Sequence, residues 1–198
     1  MSRRCNQAAT RSTRLRMEFT FQVATRTMTN LCAFPDSPRA ARLEPMDVDA
    51  RLRELGIELP GPAAPGGNYL PVMRAGDLLF LSGAGPARPD GSMVTGKVGD
   101  GGLSLDEGRE AARLTGLQLL AVLQAELGDL GRVRQVVKLF GMVNVAPGFT
   151  DTPGVINACS DLLVDVFGDQ GRGARSAVGQ AALPFDIAVE IEAVVLTA

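Results

Sequence analysis

A chain of 198 residues with 45% apolar residues has room for one domain with a full core, plus a tail. A net charge of −2 gives no electrostatic case for nucleic acid, and no apolar run reaches the length of a membrane span. The absence of histidine removes the commonest general base, the Ser-His and Cys-His nucleophile pairs and every His-ligated metal site. Aromatic residues make up only 5%, with no Trp, so the core is aliphatic. Cys5, Cys32 and Cys159 are odd in number and widely spaced, which fits neither a disulfide framework nor a zinc site. A reducing, cytoplasmic compartment follows, with no metal or cofactor expected.

Charge is unevenly spread. Residues 1–45 hold eight arginines and three acids, so the remaining 12 basic and 19 acidic residues leave the rest at net −7. The tail reads as a transit-like leader, a disordered arm, or translation from a start upstream of Met46. The last reading is preferred, because residues 46–52 open directly into a helix-like segment. The expected domain is therefore 46–198.

Residues 47–56 form a short helix ending at Gly56, followed by a Pro/Gly-rich connector over 60–67. Residues 68–74 and 78–82 make a hairpin around Ala75-Gly76-Asp77. Gly83 and Gly85 follow where a backbone must bend or approach something closely. Residues 93–98 read as a third strand. Ser104 with Glu107 is a capping-box match, opening a helix that runs to Leu127 and stops at Gly128. Residues 133–145 form a long strand, with Val133, Val137, Leu139, Val143 and Val145 on one face. Thr152-Pro153 starts a second long helix that ends at Gly168.

The chain then closes with two strands joined at Leu183-Pro184. One begins with Arg175; the other carries Glu190 and Glu192 on one face, roughly 6.5–7 Å apart. Antiparallel pairing about that turn places Arg175 near Glu192 and Ala177 near Glu190. Charges in such strands need a partner or a task. One reading is a cross-strand ion pair. The other is a guanidinium fork aimed at a carboxylate ligand. The order β-β-β-α-β-α-β-β predicts an α+β fold, one mixed sheet with two helices on one face. The other face needs cover, which a second copy would supply.

The pattern from Ala174 to Ala193, with Arg175-Ser176, Leu183-Pro184 and Val189-Glu190-Ile191-Glu192-Ala193, resembles the C-terminal signature of the Rid/YjgF family of reactive-intermediate deaminases. That family is also labelled L-PSP endoribonuclease. The resemblance runs from Leu52 to Val195 and includes Leu79-Phe80-Leu81-Ser82-Gly83 and the helix with Asn157. Segments 55–60, 96–99 and 166–168 are similar to a longer subgroup. The resemblance implies a chorismate-mutase-like fold and a homotrimer with clefts between subunits. It implies that Arg175 holds a substrate carboxylate, that Tyr69, Ser82, Gly83 and Asn157 line the cleft, and that Glu190 positions a water. The implied reaction needs no cofactor: hydrolysis of a 2-enamine or 2-imine acid, such as 2-aminoacrylate, to a 2-keto acid and ammonia.

Several positions depart from the pattern. Ala177 stands where many members have a cysteine, Ala84-Gly85 where a Gln often follows Ser-Gly, and Gly173 where the longer subgroup often has His. Ala158-Cys159 replaces a Gly-Ala pair. These bear on substrate preference. A non-catalytic trimer that binds small carboxylates or a partner is the alternative reading. Ribonuclease or translation-inhibitor activity ranks last, since residues 46–198 are acidic and lack a basic stripe.

Overall fold

The computed structural model describes residues 47–198, so the expectations for residues 1–45 lie outside the described residues. Asp47 caps a short helix, α1 (Val48–Glu54), by accepting from the Ala50 N–H at 2.9 Å. The long helix α2 (Leu105–Leu127) begins at the expected capping box. Ser104 Oγ accepts from the Glu107 N–H at 3.2 Å, and Glu107 Oε2 accepts from the Ser104 N–H at 2.8 Å. Gly128, at φ 72°, stops it in a left-handed conformation that costs glycine little. Helix α3 (Thr152–Phe167) is capped by Asp151, one residue before the expected Thr152. Asp151 wins because its carboxylate reaches the Gly154 N–H at 3.0 Å, while Thr152 Oγ donates to the Ala177 carbonyl.

The strands are β1 (Val72–Ala75), β2 (Leu78–Ala84), β3 (Val133–Asn144), β4 (Ala174–Gln180) and β5 (Val189–Thr197). They form one mixed sheet in the order β1-β2-β5-β3-β4. Only the β3–β4 pair is parallel, as the α3 crossover between them allows. One face of the sheet presents Leu79, Leu81, Leu139, Val143, Ile191 and Val195 to α2 and α3, and all six are buried. Deleting one such leucine to alanine costs about 2–5 kcal/mol. Gly116 lets the helices close on each other; a Cβ there would sit 2.9 Å from Leu162 Cδ2 and 3.2 Å from Cys159 Sγ. No element among the described residues covers the opposite face, where Phe80 stays 44% exposed beside Met73 and Val194.

The α+β architecture is the expected one, with four local corrections. Residues 93–98 form no third strand but single bridges to Ala87, Ile187, Leu103 and Val145. Gly96 at φ 111° breaks the extended run. The first strand starts at Val72, not at 68, because Tyr69 folds back to Gly67 through a 3.0 Å backbone bond. In β3, irregularities between Val133 and Gln135 and between Val136 and Lys138 shift the phase. Val136 is buried as a result, while Val137 is 39% exposed.

The fourth correction concerns the closing strands, which do not pair with each other. β3 lies between them: Leu139 aligns with Arg175 on one side and Ala193 on the other. The segment from β4 to β5 crosses the end of β3 instead of turning tightly. Val145 N–H donates to the Gln180 carbonyl at 3.1 Å, and Asn144 N–H donates to the Ala188 carbonyl at 2.9 Å. Arg175 therefore does not stand beside Glu192.

Candidate active site

The connector after α1 lies against the end of β2. Ser82 Oγ donates to the Leu70 carbonyl at 2.7 Å and Ser82 N–H to the Pro71 carbonyl at 3.0 Å. Gln118 of α2 accepts from the Ala63 N–H at 3.2 Å, and Tyr69 Oη accepts from the Gly66 N–H at 3.1 Å. These bonds hold the connector at the rim of an open cleft of about 700 Å³. Tyr69, Ser82, Gly83 and Glu190 all line it, as do Met93, Leu119 and Phe185. Ser82 spends its hydroxyl proton on backbone, so it serves chiefly to fix the rim.

Gly83 lies inside a register shift in the β2–β5 pairing, between Leu81, which aligns with Ala193, and Ala84, which aligns with Ile191. A Cβ on Gly83 would lie 2.1 Å from Glu190 Oε1. The glycine is what lets this carboxyl rest against the backbone. Glu190 is half-buried. Burial pushes its pKa above the usual carboxylate value, and the negative charge of Glu192 pushes it further up. A carboxyl so placed exchanges protons nearer neutrality than an exposed one.

Arg175 occupies a different place. Its guanidinium donates to Asn157 Oδ1 at 2.8 Å and to Ser160 Oγ at 3.0 Å, both on α3. Among the described residues it makes no ion pair within 4.0 Å. These neutral acceptors orient the fork without neutralising its charge. Ser160 was not evident from the motif, although it lies three residues after Asn157 and so on the same helical face. Cys159 beneath is fully buried, and desolvation pushes its thiol up to about 12 against the opposing pull of Arg175. Gly173 fits tightly: a Cβ there would meet the Val136 carbonyl oxygen at 2.5 Å, so this backbone has no room for histidine.

The two groups belong to opposite faces of one sheet. Arg175 shares a row with buried Leu139 and Ala193 and bonds to α3, on the helix side. Glu190 shares a row with Met142 and Val178, three residues along and on the open side. Two strand spacings and three residue rises put their backbones roughly 14 Å apart. Within one chain the cleft gathers Tyr69, Ser82, Gly83 and Glu190, while Arg175 and Asn157 stand outside it.

Comparison with known proteins agrees with this architecture. A family model described as "YjgF/chorismate_mutase-like, putative endoribonuclease" matches residues 49–193. The chain belongs to this family. Protein TCP17 of Trypanosoma cruzi is 48% identical over 149 residues, covering 75% of this chain and 92% of that one. The crystal structure of Atu1372 from Agrobacterium tumefaciens, a protein of unknown function, superposes with a TM-score of 0.70 at 41% identity. The superposition covers 77% of this chain and 94% of Atu1372. A "putative endoribonuclease" from Shewanella oneidensis MR-1 gives a TM-score of 0.73 at 31% identity, over 76% of this chain and 99% of that one. Among the described residues, no helix of this YjgF-family chain is long and apolar enough to cross a membrane.

Proposed function

We propose that this YjgF-family chain is a cofactor-free cytoplasmic deaminase that hydrolyses 2-enamine and 2-imine acids to 2-keto acids and ammonia. The observation that carries this reading is Arg175, a guanidinium oriented by Asn157 and Ser160 and without a carboxylate partner among the described residues. Every substrate of this class carries a carboxylate that such a fork binds in bidentate fashion. Because Arg175 and Glu190 occupy opposite faces, a complete site requires Arg175 from one copy and the Glu190 cleft from another. A cyclic trimer with its open sheet faces turned inward supplies that pairing and covers the face left bare in one chain.

The chemistry asks little of the protein. The enamine tautomerises to the imine, whose carbon is already electrophilic. Arg175 fixes the carboxylate, and Glu190 accepts a proton from a water as its oxygen bonds to that carbon. That proton passes to the imine nitrogen, which gives a carbinolamine. Glu190 then takes the carbinolamine hydroxyl proton and delivers it to the amine nitrogen as the C–N bond breaks, leaving the ketone and ammonia. Positioning supplies most of the acceleration such a barrier needs. The raised pKa of Glu190 suits a group that must both take and give a proton.

The family's description as an endoribonuclease points instead to RNA cleavage. That reaction finds little support in a chain without histidine, whose residues 46–198 hold 12 basic and 19 acidic residues. The test is keto-acid release from 2-aminoacrylate, generated in situ by a dehydratase, with the full chain and its Arg175→Ala variant. Acceleration over buffer that falls at least about 10²-fold in the variant supports the reading. No acceleration by folded protein, together with RNA cleavage in a parallel arm, would overturn it.

A further inference from the structure

Phe185 is the most exposed large apolar side chain among the described residues, at 85%, and its backbone sits at φ 56°, ψ 21°. Left-handed backbone is unfavourable for a bulky residue, and so is an apolar ring in water. The neighbouring bonds show why the chain holds this conformation. Asp186, also at φ 56°, is fastened on several sides. Its carboxylate accepts from Asn144 Nδ2 at 2.9 Å, its carbonyl accepts from the Gly96 N–H at 2.8 Å, and its N–H donates to the Leu183 carbonyl at 3.1 Å. Asn144 is completely buried, and its Oδ1 accepts from Lys97 Nζ at 2.8 Å; Lys97 also donates to the Ala181 carbonyl. The polar chain Lys97–Asn144–Asp186 thus locks the β4–β5 connection across the end of β3. The ring it presents belongs to no core, yet Phe185 lines the cleft together with Ile187, Met93 and Leu119 of α2.

We infer that Phe185 is a specificity-determining residue: it forms an apolar wall of the Glu190 cleft, selecting 2-imino and 2-keto acids whose side chain is a branched or aromatic hydrocarbon over the one-carbon side chain of 2-aminoacrylate and pyruvate. This rests on the proposed carboxylate site for the ligand's charged end, while the wall reads only its apolar end. The surface of this cleft is mostly apolar, which suits a hydrocarbon side chain. Each methylene held against such a wall is worth about tenfold or more in discrimination.

The test is calorimetric binding of pyruvate and of 4-methyl-2-oxopentanoate to the full chain. Neither is turned over, so the readout is independent of catalysis. The wild type is expected to bind the larger acid at least about tenfold more tightly. Phe185→Gly should reduce the ratio to about twofold without lowering the melting temperature, since glycine accepts φ 56° and removes an exposed ring. Phe185→Leu should keep most of the preference. Equal affinities in the wild type, no binding of either acid, or a ratio unchanged in Phe185→Gly would overturn the inference. So would a changed oligomer mass in Phe185→Gly, which would make the ring a contact between copies. A Phe185-dependent preference in a protein that hydrolyses no imine would leave the wall standing and remove the deaminase reading.

Discussion

Substituting Gly83 by alanine separates the site from the fold. The added Cβ would lie 2.1 Å from Glu190 Oε1, 2.9 Å from its Cδ and 3.0 Å from its Cγ. Every clashing atom belongs to one flexible side chain, and Gly83 is not among the glycines with positive φ, so the backbone accepts alanine. To reach an ordinary contact of 3.4 Å or more, the carboxyl must retreat by more than about 1 Å. Swinging a half-exposed side chain outward costs little, so stability should change by less than about 1 kcal/mol in a urea titration. Catalysis is less tolerant, since a displacement of about 1 Å at a reacting group costs about 10²-fold. The expected result is kcat/KM for 2-aminoacrylate reduced about 10²-fold in a protein of near wild-type stability. The acid limb of the pH profile should also move down toward the ordinary carboxyl value of 4.5, because the displaced Glu190 regains solvent. Unchanged kcat/KM would show that the Glu190 position does not matter to the reaction. A loss of about 3 kcal/mol or more would show that the contact serves the fold instead.

Glu190→Gln should raise stability at neutral pH. The folded pKa of Glu190 is raised by burial and by Glu192, so the native state holds this proton more tightly than the unfolded chain. Its contribution to stability is therefore full below the ordinary value of 4.5 and is lost as pH rises through the raised folded value. Denaturant midpoints across that window should show the variant gaining on the wild type as pH increases; a constant difference would refute the shift. Cys159, at about 12 and fully buried, should resist iodoacetamide in the native state and react only on unfolding. Peptide mass spectrometry of the Cys159 site checks this, and rapid native-state labelling would mean that α3 opens readily.

What the sequence discloses and conceals follows the range of the forces involved. Helix α2 is legible because its signals are local: Ser104 and Glu107 satisfy each other's backbone across one turn, and Gly128 supplies the left-handed stop. The β1–β2 hairpin is legible for the same reason, through Gly76 at φ 61°. The closing strands mislead because a Leu-Pro turn between two apolar runs looks like a hairpin, whereas the pairing is set by β3, some forty residues upstream, inserting between them. The phase of β3 is likewise set by two irregularities against β5 that no alternation pattern reveals. At the site, Glu190 and Gly83 are each visible as oddities, a charge in an apolar strand and a glycine after a strand end. Their contact requires the β2–β5 pairing. Phe185 has no local signal at all, because an exposed aromatic in a loop is unremarkable until its backbone angle and the Lys97–Asn144–Asp186 lock are known.

The separation of Arg175 from Glu190 allows a decisive test of where the site is assembled. Arg175 is on the helix side of β4, fixed to α3; Glu190 is on the open side of β5, fixed against Gly83. No side-chain rotation brings them together across the intervening β3. If each site takes Arg175 from one copy and Glu190 from the next, two individually inactive variants complement each other. Coexpressed Arg175→Ala and Glu190→Gln chains, in equal amounts and carrying different tags, assort at random around a cyclic assembly. A given site then receives an intact arginine with probability one half and an intact glutamate with probability one half. Assemblies purified through both tags in sequence should therefore recover about a quarter or more of wild-type activity. Each variant alone should stay near background. Mixed assemblies that recover nothing would mean that both residues are needed from the same copy, which the sheet geometry forbids for one substrate, and the shared-site mechanism would fall.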